Sequence, residues 1–144
     1  MTTIAFDGKT LAADSLAIGG ATSPHRIAQK IFDIGGGVFV AIAGTLGEGA
    51  KFAAWYVEGA DIAAPALPDL KDSSVLVVSE KHSYEFDETL MPLPVRAPCA
   101  IGSGGEVALG AMMAGATASE AVKIACKVDI HSGGRVRCVE VRRR

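Results

Sequence analysis

The sequence begins MTTIAFDGKT, and Thr2 is the first residue in it that could do chemistry. With Met1 removed, Thr2 would carry a hydroxyl and a free α-amine on one residue, a nucleophile beside its own base. Thr2 is small, which is what removal of Met1 requires. The plain alternative is an ordinary small second residue in an unstructured terminus. A second candidate is Asp129. In the helical pattern before it, Glu120, Lys123 and Lys127 share a polar face, whereas Asp129 falls in line with Val122, Ala125 and Cys126. A carboxylate on an apolar face is costly unless a cation or hydrogen-bond donors accompany it. Lys30, set in an apolar strand pattern, and a mature N-terminus are candidates for that cation. A helix-end residue turned to solvent is the equally open reading.

Other constellations are weaker. GSGGE at 102–106 is glycine-rich but lacks the Lys-Ser/Thr of a phosphate loop, and Ser103 there could simply cap a helix. Asp129, His131 and Ser132 lie too close in sequence for a hydrolytic triad without unusual geometry. Cys99, Cys126 and Cys138, like His25, His82 and His131, are scattered. They form neither a metal motif nor a disulfide framework, which favours a reducing compartment. No metal and no cofactor are expected.

Composition bounds the rest. The 144 residues suit a single domain, 1–144, with Met1 expected to be removed. Hydrophobic residues make up 49%, and the mean hydropathy is +0.32, which suits buried sheets and subunit interfaces. No apolar run reaches the roughly 18 residues a membrane span needs, and no secretory signal is evident. The formal charge is −2, with Arg142–Arg144 as a solvated tail, so neither nucleic acid nor membrane is an expected partner. The expected location is cytoplasmic.

The elements that must position these residues follow from periodicity. TTIAF reads as a strand, Asp7-Gly8 as a two-residue hairpin turn, and KTLAAD as the return strand. RIAQKIFDI and VFVAIAG read as strands flanking Gly35–Gly37, the second buried on both faces. Helical spacing places Leu46, Ala50, Ala53 and Val57 on one side of LGEGAKFAAWYV. Residues 59–72 read as loop, SSVLVVSE and SYEFD as a hairpin, and CAIGSGG as a strand entering a helix. Two helices separate near Thr117, where Thr117 and Glu120 form a capping-box pattern, and GRVRCVEV closes the chain as a strand. The order predicts two antiparallel sheets in layers with helices outside.

Taken in order, TTIA, AADSLAIGG, QKI with Lys30 sixteen residues beyond Asp14, AIAG, AIGSGG and DIHSGGRV span most of the chain. In these blocks the sequence resembles the β-type subunits of the proteasome and the bacterial HslV peptidase. The last block is closer to the proteasomal pattern. The resemblance implies an α+β, four-layer αββα sandwich of two antiparallel sheets, the N-terminal nucleophile hydrolase fold. Its helical layer would be shortened, because residues 59–72 leave little room for a second helix beside the first.

The resemblance also implies roles. Thr2 would be the nucleophile of a threonine endopeptidase, with its α-amine, of pKa about 7.7–8.0, as base. Lys30 would favour deprotonation of the Thr2 hydroxyl, and Asp14 would hold Lys30. Gly44 would offer its N–H to the oxyanion, and Ser103, Asp129 and Ser132 would surround the amine. The backbone from Ile18 to Gly20 would pair with an extended substrate, and Ile42 would help line a substrate pocket, its alternative being an ordinary core residue. The implied partners are a peptide or unfolded protein substrate, copies of the chain in a homo-oligomeric ring, and an ATP-driven unfoldase. A non-catalytic ring-forming or binding relative is the competing reading. An amidase of the wider N-terminal nucleophile class fits the GSGG and DxxSGG blocks less well.

Overall fold

A computed structural model of the chain describes residues 2–17 and 28–141. Met1, Ile18, Gly20 and the Arg142–Arg144 tail lie outside the described residues. In chain order the elements are β1 (Ile4–Phe6), β2 (Thr10–Ala13), β3 (Ile31–Asp33), β4 (Phe39–Ala43), α1 (Leu46–Val57), β5 (Ser74–Val78) and β6 (Ser83–Phe86). They continue with β7 (Leu93–Pro94), β8 (Cys99–Ile101), α2 (Gly105–Met113), α3 (Ala118–Val128) and β9 (Arg137–Glu140). One sheet has the order β8-β1-β2-β9 and the other β3-β4-β5-β6-β7, and every paired neighbour is antiparallel.

Alternation along the strands builds the layers. Ile4, Phe6, Leu11 and Ala13 of one sheet pack against Ile31, Ala41, Ala43, Leu76 and Val78 of the other. Their neighbours in sequence face outward. Ala5 and Ala12 lie against α2 and α3, while Val40, Ile42, Val75 and Val77 lie against α1. The four layers are thus α1, a five-stranded sheet, a four-stranded sheet, and the α2–α3 pair. VFVAIAG is apolar throughout because β4 is buried on both faces. Among the described residues one helix covers the five-stranded sheet, in keeping with the shortened layer.

The departures from sequence-based expectation are local. Phe6 pairs with Leu11 and Asp7 N–H donates to the Thr10 carbonyl at 3.2 Å, so the β1–β2 turn falls at Gly8-Lys9, one residue later than expected. Asp7 organises it: Oδ1 accepts from the N–H groups of Lys9 and Thr10, and Oδ2 accepts from Ala118 N–H at the start of α3. A carboxylate so placed ties the hairpin to a helix N-terminus. The strand expected over 26–34 begins outside the described residues; within them it is limited to β3, although Lys30 keeps one ladder bond, its carbonyl accepting from Ile42 N–H at 3.0 Å. The expected closing strand, 134–141, contracts to β9. Leu93–Pro94 adds a two-residue edge strand where proline suggested only a connection, since a proline can sit where no ladder N–H is needed. The capping box at α3 is present on both sides, Glu120 N–H to Thr117 and Thr117 N–H to Glu120.

The core under α1 centres on Phe52, which is fully buried. Its ring lies 4.9 Å from Phe86, 5.5 Å from Trp55 and 5.9 Å from Tyr56, centroid to centroid. Phe52→Ala removes the ring from this cluster and leaves a cavity. The expected loss in urea unfolding is about 3–5 kcal/mol.

Candidate active site

The end of β2, the segment entering β3, the β8–α2 turn and the turn after α3 converge on Thr2. Lys30 Nζ lies 2.9 Å from Thr2 Oγ1 and 2.9 Å from Asp14 Oδ1. Thr2, Asp14 and Lys30 are 1%, 1% and 3% exposed, so this ion pair is held away from water. Buried pairs persist only where further hydrogen bonds satisfy them. Asp14 has two: Thr3 N–H donates to Oδ1 at 3.1 Å and Gly133 N–H to Oδ2 at 3.0 Å.

A second cluster holds the main-chain nitrogen of Thr2, which donates to Ser103 Oγ at 3.1 Å. Ser103 Oγ and Ser132 Oγ each donate to Asp129 Oδ2 at 2.6 Å, and His131 N–H donates to Asp129 Oδ1 at 3.1 Å. Burial pushes the Asp129 carboxyl upward, but these three hydrogen bonds and the nearby His131 outweigh it, leaving the carboxyl below its ordinary value. Asp129 therefore carries its charge at neutral pH. Of the two kinds of partner that a carboxylate on an apolar face needs, a cation or hydrogen-bond donors, the donors are present. They are two hydroxyls and a backbone N–H, and Lys30 is engaged with Asp14 instead. Asp129 is half-buried at the C-cap of α3.

The glycines of GSGG have steric reasons. A Cβ on Gly102, whose φ is +95°, would strike the Thr2 carbonyl, and one on Gly104 would strike Thr3 Oγ1. Gly104, not Ser103, is the N-cap of α2, which leaves the Ser103 hydroxyl for Asp129. Gly44, φ +135°, lies between the end of β4 and α1, where any side chain would collide with Ser73. The N-terminus of α1 directly after it concentrates N–H groups and positive helix-dipole charge. Ile42 is fully buried and packs beneath Gly49 of α1, where a Cβ would come within 2.6 Å of Ile42 Cγ2; this is the position of a core residue. Ile18 and Gly20 lie outside the described residues.

Sequence reasoning overlooked Thr3, whose hydroxyl lies 2.7 Å from Ser132 Oγ and is fully buried. The available signal was periodicity: alternation puts Thr3 on the same strand face as Ala5, and a hydroxyl on that buried face needs a partner. Two of the three cysteines, Cys99 and Cys126, are poor candidates for a thiolate. Burial, with a contribution from Glu85, pushes Cys99 up to about 11. Burial first, then the Asp14 and Asp129 charges, push Cys126 upward against the opposing effect of Lys30. Among the described residues no cluster of three or more His, Cys, Asp or Glu side chains could hold a metal ion. Nor is any helix there long and apolar enough to cross a membrane.

Neither a family model nor a curated protein matches the sequence. The fold does match solved structures. Eukaryotic HslV from Trypanosoma brucei superposes with a TM-score of 0.68 at 22% identity, covering 96% of this chain and 97% of that one. BPH from Thiobacillus denitrificans gives 0.69 at 23% identity, and the same protein in complex with epoxomicin gives 0.70 at 23%. Both cover 98% of each chain. The chain has the HslV fold.

Proposed function

We propose that this chain is a threonine endopeptidase of the proteasome β-type and HslV kind. In this reading it acts through Thr2 after removal of Met1, inside a homo-oligomeric ring. The observation that carries the proposal is the buried Thr2–Lys30–Asp14 line, with 2.9 Å between Lys30 Nζ and each partner oxygen. A buried Lys–Asp pair adds little to folding that a well-packed apolar pair would not supply. At a nucleophile the ammonium lowers the cost of forming the alkoxide.

The reaction runs in two halves. The Thr2 α-amine takes the proton of Thr2 Oγ1, directly or through water, as Oγ1 attacks the scissile carbonyl carbon. Lys30 stabilises charge on Oγ1, and Gly44 N–H, with the α1 N-terminus behind it, receives the oxyanion. Collapse breaks the C–N bond, the ammonium of Thr2 protonates the leaving amine, and an acyl ester remains on Oγ1. Water, deprotonated by the same amine, then attacks the ester and releases the second product and free Thr2. Ser103 and Asp129 hold the amine in line for both transfers. While Met1 is attached, the Thr2 nitrogen is an amide and cannot serve as a base.

Ring assembly is supported by large apolar side chains exposed on the isolated chain, among them Val57, Ile62, Met91, Leu93, Met113 and Ile130. A chamber so formed would admit peptides or unfolded protein, delivered by an ATP-driven unfoldase. The test combines intact mass, light scattering and hydrolysis of fluorogenic peptides on one preparation. The expected result is a chain starting at Thr2, a ring-sized particle and turnover. Chains of intact mass starting at Thr2 that assemble but cleave nothing would establish the non-catalytic reading. Active material that retains Met1 would overturn the mechanism.

A further inference from the structure

We infer that Thr3 is a positioning residue, joining the cluster that holds the Thr2 hydroxyl to the cluster that holds the Thr2 nitrogen. The inference rests on the reading of Thr2 as nucleophile and adds a residue to it. Thr3 reaches both sides at once. Its N–H donates to Asp14 Oδ1 at 3.1 Å, and its carbonyl accepts from Asp14 N–H at 3.1 Å. Its hydroxyl meets Ser132 Oγ at 2.7 Å, and Ser132 in turn meets Asp129.

The direction of the chain follows from Asp129. An ionised carboxylate only accepts, so the single proton of Ser132 Oγ and that of Ser103 Oγ both point at Asp129 Oδ2. With its proton so committed, Ser132 Oγ must accept from Thr3, and Ser103 Oγ must accept from the Thr2 nitrogen. Two hydrogen-bond chains therefore converge on one oxygen: Thr3 Oγ1 to Ser132 to Asp129, and Thr2 N to Ser103 to Asp129. The first anchors the second. Without the Thr3 donor, Ser132 has an unfilled acceptor in a buried site and a reason to rotate, which frees Asp129 and then Ser103. Gly104 leaves the space that the Thr3 hydroxyl occupies.

The variants Thr3→Val, Thr3→Ser, Ser132→Ala and the Thr3→Val/Ser132→Ala double variant separate this role from simple packing. Valine keeps the β-branched shape and removes only the donor. Thr3→Val is expected to lower kcat about tenfold with KM unchanged, because positioning of the amine is lost and substrate contacts are not. Thr3→Ser should return kcat to within about twofold of wild type. The double variant should be no slower than Ser132→Ala alone, since both changes break one chain. Wild-type kcat in Thr3→Val, failure of Thr3→Ser to restore it, or additive losses in the double variant would each overturn the inference while leaving Thr2 as nucleophile. An inactive wild type starting at Thr2 would remove both. Crystal structures of wild type and Thr3→Val add a readout independent of activity. Ser132 turned from Asp129 supports the inference, and an unchanged Ser132–Asp129–Ser103 geometry rejects it.

Discussion

Thr2→Ala is expected to reduce peptide hydrolysis on the order of 10⁶-fold, to the background rate of the assay. In the proposed mechanism the substitution removes the one atom on which the acyl ester would form, and no remaining group would replace it in the same place. The hydroxyls of Ser103 and Ser132 lie in the same site, but both donate to Asp129 and are held as parts of its shell. Burial pushes the Cys99 and Cys126 thiols upward, away from the thiolate form. Alanine is as small as threonine for the purpose of Met1 removal, so the amine survives and only the nucleophile is lost. Thr2→Ser retains both groups. It loses the methyl that restricts rotation about χ1, and a fall of about tenfold in kcat is expected. Thermal melts should place Thr2→Ala within a few degrees of wild type, because Lys30 keeps Asp14 as its partner. Substantial turnover in Thr2→Ala, with the mass confirmed, would move the nucleophile elsewhere.

The layers were legible because periodicity reports burial directly. Strands β1, β2, β4 and β5 alternate between two buried faces, and α1 and α3 carry apolar stripes at helical spacing. What could not be read was where the strands stop. β3 and β9 are shorter than their apolar patterns, since pairing with a neighbour and not composition ends a strand. β7 was hidden by Pro94, whose missing N–H is tolerated at a sheet edge. The site was legible in part and for two different reasons. Asp129 stood out on helix geometry alone, and its partners are hydrogen-bond donors, two hydroxyls and a backbone N–H. Asp14 and Gly44 have no such signature, and Ser103 read on its own only as a helix cap; all three gained a role in the site through the resemblance, because the site joins segments more than a hundred residues apart in the case of Thr2 and Ser103. Thr3 carried a signal, a hydroxyl on a buried strand face, that the prominence of Thr2 obscured.

Lys30→Ala separates the demands of catalysis from those of folding. If Lys30 served only to fill β3's approach to the core, its loss would be felt in stability and not in rate. At 2.9 Å from Thr2 Oγ1 it instead lies where, in the proposed mechanism, charge would develop as the hydroxyl gives up its proton. A single such electrostatic group is typically worth a factor of about 100 to 1,000 in kcat, and that is the expected loss. Stability should fall too, because Asp14 is left as a buried carboxylate. Breaking a buried pair costs about 3–5 kcal/mol, and the N–H donors of Thr3 and Gly133 that remain on Asp14 place the expectation at the lower end. Lys30→Met keeps the length of the stem and guards against a chain that fails to fold for want of packing. Lys30→Arg keeps the charge but substitutes a planar guanidinium for a compact ammonium between two oxygens, and should not restore activity. The decisive comparison is kcat for the three variants at temperatures where melts show each to be folded. A folded Lys30→Met chain with near-normal turnover would show that Thr2 needs no cation, and the assigned site would fall with it.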